Sequence, residues 1–360
     1  MSISIELVQY IFDFFQIKEE ILSVKAYGKG QLNYTFLITC TNNKRYILQK
    51  INTLFNIAGV MKNIDTIHNH LLKKQAEGLW DNGYKILTPI KNEKGENYVE
   101  FEDNSWRIYD YIEDTLTQDY VYYSFQAEKV GELIGQFHLC LSDLEGKLYN
   151  PLPGFHNTPN YYKNFQEAIK NTKVSKRDYQ IEKWIESQKS SIDYFFHLIE
   201  TKQIQVRTTH NDTKANNILF DKNTGNPVVI IDWDTISNEL PLWVDIGDMC
   251  RSMCSNTLEE GDDFALVDFR EDIFESLMKG YLKKGNDFLT EIEKKHIVFS
   301  VGFIIFELSM RFYTDYLDGN KYFIVRYPLQ NLEKAKKLYF LWKSFEGKKE
   351  LLQKIIDKYI

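Results

Sequence analysis

Short apolar runs with a two-residue period mark the first third of the chain, and a period near 3.6 takes over after it. Residues 35–39 and 45–51, rich in β-branched and aromatic side chains, read as strands. A glycine-containing loop over 25–34 precedes them, and 57–74 carries apolar positions at helical spacing. Residues 98–102 and 106–112 read as two further strands, with Asp103-Asn104 as a tight turn between them. From Ser124 the pattern is helical, beginning with 125–141 and continuing to Ile360. One hairpin interrupts it. Runs 217–221 and 227–232 flank Lys222-Asn-Thr-Gly-Asn226, where Gly and Asn tolerate positive φ, so Asn217 and Asp232 lie side by side at its outer ends.

These elements predict an α+β, bilobal chain. A small antiparallel-sheet lobe spans 1–113, a larger and mainly helical lobe spans 114–360, and a cleft opens near the joint at 112–115. The most apolar run, 297–306, is short for a bilayer and is followed by Glu307, which predicts a buried core helix. Lysines in 332–360 fall at helical spacing between Leu, Phe, Trp and Ile, the pattern of a solvated face on a docked helix.

Composition narrows the function classes. Aromatics at 15% and hydrophobics at 43% suit packed cores and not a disordered chain. A net charge of −7 argues against nucleic acid or anionic membrane as the main partner. Cys40, Cys140, Cys250 and Cys254 show no metal spacing and read as free thiols in a reducing compartment. The N-terminal segment carries acids and no basic n-region, unlike a secretory leader, so a cytoplasmic protein is expected.

The stretch 208–234 carries the chemistry. His210, Asp212 and Asn217 stand at His-x-Asp-x4-Asn, the spacing of a phosphoryl-transfer loop in which the Asp takes a hydroxyl proton and the Asn holds magnesium. Asp232, closing the apolar run 228–231, sits where a second magnesium-holding carboxylate belongs. Taken singly, each of these residues also fits a turn cap; their order and the strand before Asp232 favour the site. In the first lobe, Gly28 and Gly30 would let backbone N–H groups approach phosphates, although two glycines between strands also suit a hairpin turn. Lys50 is the candidate phosphate cation, with Gln49 facing inward instead if the register slips by one. The strand 106–112 runs into the hinge, where Tyr111 is the candidate for reading adenine.

The blocks LQKIN (48–52), WRIYDYIEDT (106–115), HNDTKANN (210–217), IDWDT (231–235), DIGD (245–248) and RFYTDYLDGNKYF (311–323) span most of the chain. Together they resemble the aminoglycoside phosphotransferase and choline kinase superfamily, a branch of the protein-kinase-like fold, and most narrowly the bacterial N-acetylhexosamine 1-kinases. The resemblance implies transfer of the ATP γ-phosphate to the anomeric hydroxyl of GlcNAc or GalNAc, with Mg²⁺, by a monomer or weak homodimer. It implies Asp212 as the base and Asn217 and Asp232 as metal ligands. Lys214 would offset charge on the moving phosphoryl group or stand as a solvated lysine. His210 is expected to be structural, and Asp245 to cap the following helix or, alternatively, to brace the loop. Arg311 and Tyr322 are the implied sugar contacts, against a reading in which Arg311 pairs with Asp315 and Tyr322 is core; Asn33 and Asn211 are lesser hydroxyl contacts. Two departures stand out: no Glu on 57–74 to pair with a strand lysine, only Asp65, and Trp233-Asp234 where a protein kinase has Phe-Gly. The same fold serves other acceptors (aminoglycosides, choline, homoserine, methylthioribose) and could house an inactive nucleotide-binding regulator.

Overall fold

The computed structural model describes residues 3–28, 33–258 and 261–360. It opens with α1 (Ile5–Phe14), capped by the Ser4 hydroxyl, an element the strand-rich expectation for this lobe did not contain. Strands β1 (Ile21–Ala26), β2 (Tyr34–Cys40) and β3 (Arg45–Ile51) follow, then α2 (Ile57–Ala76), β4 (Val99–Phe101) and β5 (Asn104–Asp110). The five strands form one antiparallel sheet in the order β1-β2-β3-β5-β4. The β4–β5 turn is Glu102-Asp103, one residue earlier than expected, and both residues have positive φ, as a two-residue hairpin turn requires.

Alternation divides the sheet into two faces. Phe36, Leu48, Trp106 and Ile108 pack in a core with Val8, Ile11 and Phe12 of α1. Ile47, Ile51 and Tyr109 belong to the other face, which joins the main core together with α2.

A short β6 (Thr115–Thr117) leads into α3 (Ser124–Leu141), α4 (Thr158–Asn171), α5 (Tyr179–Ser187) and α6 (Lys189–Glu200). Next come β7 (Arg207–Thr209), the hairpin β8 (Ile218–Asp221) and β9 (Pro227–Ile230), and β10 (Ser237–Leu240). β6 adds to the hairpin as its third strand, and β10 pairs with β7. Neither pairing is visible in the sequence pattern, because three or four residues are too few to show a period.

The chain ends in α7 (Trp243–Met253), α8 (Glu271–Gly285), α9 (Glu291–Lys295), α10 (Ile297–Leu317) and α11 (Gln330–Tyr359). α3 and α8 approach backbone to backbone: a Cβ at Gly131 would stand 2.1 Å from the Leu277 carbonyl oxygen, and one at Gly280 1.9 Å from that of Glu128. The run 297–306 belongs to a helix of 21 residues, longer than the sequence run suggested and long and apolar enough to cross a membrane. Most of it is buried within the protein, packed against α4, α7 and α11. The lysine face of α11 is not wholly solvated either: Lys334 and Lys337 are buried, the first over the Phe312 ring.

Candidate active site

β7 delivers the chain into the loop His210–Asn217, and one buried acid holds that loop in shape. Asp245, in the first turn of α7, accepts the backbone N–H of His210 and of Asn211, each at 2.7 Å. Its Oδ2 also meets His138 Nε2 at 2.9 Å, and the other nitrogen of that ring meets the Tyr281 hydroxyl at 3.0 Å. Burial opposes the charge of Asp245, but His138, His210 and these donors hold its carboxyl below the usual range. The expectation of a helix cap is corrected: α7 has no side-chain cap, and Asp245 braces the loop. Asn211 takes a left-handed conformation (φ 68°) that keeps both amides on that carboxylate. His210 is structural, as expected. Its Nδ1 accepts the Asp212 N–H at 3.3 Å and its Nε2 donates to the Ile231 carbonyl at 3.0 Å, tying the loop to the end of β9.

The loop brings Asp212, Lys214 and Asn217 together. Lys214 Nζ reaches Asp212 Oδ2 at 2.6 Å, and Asn217 Nδ2 reaches the same oxygen at 2.9 Å and the Asp212 carbonyl at 2.8 Å. Lys214 is therefore an ion-pair partner and not a freely solvated side chain. Burial works against both charges, yet the pairing pulls the Asp212 carboxyl down and Lys214 up. Across the hairpin the Ile231 N–H donates to the Asn217 carbonyl at 2.8 Å, which sets Asp232 beside Asn217. Asp232 also has positive φ (65°) and forms no hydrogen bond or ion pair among the described residues. Its pKa is pushed up to about 6 by burial, then by Asp234 and Asp212, with Lys214 and Arg107 only partly offsetting them. An unpaired carboxylate beside an amide oxygen and a second acid suits a divalent cation that keeps waters and phosphate oxygens as its other ligands. No group of three or more His, Cys, Asp and Glu side chains that could hold a metal ion by itself occurs among the described residues, so at this site the protein would supply only a few of the ligands.

The sheet lobe corrects one expectation. Lys50 pairs across strands with Tyr34 and Trp106, on the face that carries the α1 core, so it points away from the cleft. The one-residue alternative holds: Gln49, opposite Thr35 and Arg107, faces inward. The inward cation is Arg107, 1% exposed, which grips Asp234 with Nη1 at 2.5 Å and Nη2 at 3.0 Å. Asp65, the acid available on α2, pairs with Lys91 at 2.7 Å instead. Asn33 is not free for a hydroxyl: its Nδ2 donates to Asp234 at 2.6 Å and its Oδ1 accepts the Asn52 N–H at 2.9 Å.

Gly28 has φ 76° and nothing within 4 Å of where a Cβ would stand, which suits either a phosphate-facing loop or a plain turn. Gly30 lies outside the described residues. The Tyr111 N–H is taken by the Arg45 carbonyl at 3.1 Å. Its ring lies 4.2 Å from the Arg45 guanidinium and meets the Tyr27 ring edge-on at 6.0 Å, so an incoming base would meet a ring here and not an amide donor.

On the helical side Arg311 does not pair with Asp315. That acid accepts the backbone N–H groups of Lys321, Tyr322 and Phe323 and the Asn331 amide, fixing the segment after α10. The Arg311 guanidinium lies 5.0–5.8 Å from the ring centres of Phe155, Tyr161, Tyr322 and Phe323, and makes no hydrogen bond or ion pair among the described residues. Tyr322 is 60% exposed, not core. Both line a cavity of about 570 Å³. Asn211 lines a smaller one, about 170 Å³, with His156 and Ser237; its amide nitrogen is already held by the Thr235 carbonyl and Ser237 Oγ, leaving its oxygen without a partner. The two cavities share Leu152, Gly154 and Phe155.

Sequence reasoning missed Arg107, the pairing of Asp234, and Glu307, which lies buried against His156 Nδ1 (2.6 Å) and the Thr158 hydroxyl. Strand parity was the available signal for Arg107, because Trp106 and Ile108 claim one face and leave Arg107 the other.

A family model described as "phosphotransferase enzyme family" matches residues 23–273. Among solved structures, the chain is similar to spectinomycin phosphotransferase bound to ADP and spectinomycin (TM-score 0.58, 12% identity, 97% of this chain and 99% of that one). It is similar to amicoumacin kinase in complex with AMP-PNP, Ca²⁺ and Ami (0.57, 15%, 96% and 94%). It is also similar to a Plasmodium vivax ethanolamine kinase (0.53, 14%, 87% and 82%). At these identities the similarity shows the fold.

Proposed function

The chain belongs to the phosphotransferase enzyme family, and from that premise we propose that it transfers the ATP γ-phosphate to the anomeric hydroxyl of an N-acetylhexosamine, giving the sugar 1-phosphate. The observation that carries the acceptor class is Arg311. Its donors are unpaired and its aromatic surround lines the larger cavity, an arrangement that takes hydroxyl or carbonyl oxygens, with Glu167 and Asp318 on the same walls as acceptors for hydroxyl groups.

Within this reading Asp212 orients the C1 hydroxyl and takes its proton, a contribution of about 10²–10⁴-fold. Lys214, already on Asp212, would offset charge on the moving phosphoryl group. Asn217 and Asp232 would hold magnesium, which would neutralise phosphate charge. Neighbours of the same fold crystallised with ADP and AMP-PNP support adenine nucleotide as the donor.

Incubation with ATP, Mg²⁺ and GlcNAc, followed by phosphorus NMR of the product, tests the proposal. A 1-phosphate is expected. A 6-phosphate, or turnover of choline without turnover of GlcNAc or GalNAc, overturns the sugar assignment and leaves only the family.

A further inference from the structure

The cleft face of the small sheet carries a hydrogen-bonded circuit that ends on the other lobe. Thr35 Oγ1 on β2 accepts from Gln49 Nε2 at 3.2 Å, and Gln49 Oε1 accepts from Arg107 Nε at 2.9 Å. Arg107 then binds both oxygens of Asp234, and Asn33, at the root of β2, reaches the same carboxylate while holding the Asn52 N–H. Three strands and the segment entering β2 thus converge on one acid two residues after Asp232. The acid is 2% exposed, and burial, which works against the Arg107 charge, is outweighed by Asp234 together with Tyr109 and Asp232.

A buried ion pair is a poor source of stability, since apolar side chains of equal volume usually do as well or better. What it supplies is a fixed geometry: a fork on a carboxylate allows one distance and one orientation. Here those are the distance and orientation between the phosphate-facing side of the sheet and the segment that presents Asp232. Elsewhere in this fold a strand lysine paired with a helix acid would set them, but Lys50 faces the α1 core and Asp65 holds Lys91.

We propose that Arg107, acting through Asp234, is the positioning residue of the nucleotide site, coupling the strands and the root of β2 to the Asp232 segment. The inference rests on the kinase reading above and is separable from it. Arg107 touches no reacting atom. It decides where the residues that do so stand.

The test is calorimetric titration with Mg–AMP-PNP, without any acceptor, on wild type, Arg107→Lys and the double variant Arg107→Met/Asp234→Leu, each with its thermal unfolding curve. The double variant, with the pair replaced by apolar volume, is expected to unfold within a few degrees of wild type and bind nucleotide at least about tenfold more weakly. Arg107→Lys keeps the charge but cannot hold Gln49 and both carboxylate oxygens together, and falls between the two. In turnover, KM for ATP rises with the loss of affinity while KM for the acceptor stays within about twofold. If the double variant binds as wild type does, or if it fails to fold and Arg107→Lys binds as wild type, the pair is packing alone and the proposal is overturned. Absence of nucleotide binding by wild type would instead remove the kinase reading itself.

Discussion

At the scale of single residues, two carboxylates a hairpin apart are put to opposite uses by their surroundings. Asp212 is paired with Lys214 and Asn217 and stays ionised, the state the proposed base requires. Asp212→Asn keeps the shape and removes that capacity, so turnover should fall by about 10²–10⁴-fold while Mg–AMP-PNP affinity stays within a few-fold. Retained turnover in a rapid-quench assay would remove Asp212 from the chemistry. Asp232 lacks a partner, and its pKa is raised to about 6. A carboxyl raised on folding contributes stability that is complete below its unfolded pKa and disappears as pH climbs through about 6. The protein without metal should therefore be destabilised by this group at pH 7.5, and Asp232→Asn should gain on the order of 2 kcal/mol there. Near pH 4 the two proteins should unfold alike. Urea titrations at both pH values check this, and an equal difference at each would refute it. The same burial weakens nucleotide binding in acid, because protons compete with the metal for Asp232. The placing of Asp212, Asn217 and Asp232 side by side was legible from spacing alone. The choice between Lys50 and Gln49 was not, because both are polar and only cross-strand register assigns a face.

Between elements, the site depends on how closely α3 and α8 approach. α3 carries His138, which supports Asp245, and α8 carries Tyr281, which supports His138; the His210–Asn217 loop hangs from the end of that relay. The approach is possible because Gly131 and Gly280 have no Cβ to place against the opposing backbone. Gly280→Ala would put a methyl group against the Glu128 carbonyl, and backbone cannot rotate aside as a side chain does. Overpacking of this kind costs about 1–3 kcal/mol or more. Thermal unfolding should show that loss, and an unchanged midpoint would mean the helices are not in contact as described. Neither glycine drew notice in the sequence, where each is an ordinary small residue in a helical pattern. The bracing role of Asp245 was hidden for a similar reason. A helix's first-turn acid reads locally as a cap, whereas its partners here lie 34 and 35 positions earlier. α1, β7 and β10 went unread because the first was weighed only as a leader and the other two are too short to show a period.

Over the whole molecule, the α+β division and the catalytic hairpin follow from a change of period that the chain states plainly, and the acceptor side does not. Its walls come from α4 and the segment before it, from α10 and from the loop after α10, parts of the sequence far apart and without a shared motif. What joins them is Arg311. Asp315, four residues on, is the expected helical partner but is consumed by four donors from the following loop and from α11, so the guanidinium is left among rings with its donors free. In the proposed reading that arrangement takes the acceptor, while the nucleotide is held by the sheet lobe and the Asp232 segment. Arg311→Ala should therefore raise KM for the sugar by about tenfold or more, with KM for ATP nearly unchanged and kcat reduced only as far as the acceptor is misplaced. Arg311→Lys should recover little of the loss, because an ammonium cannot present a planar fork to two oxygens and lies less well among four rings. Steady-state kinetics with each substrate varied at saturation of the other separate these outcomes. Equal rises in both KM values would place Arg311 in the frame of the helical lobe and not in the acceptor site.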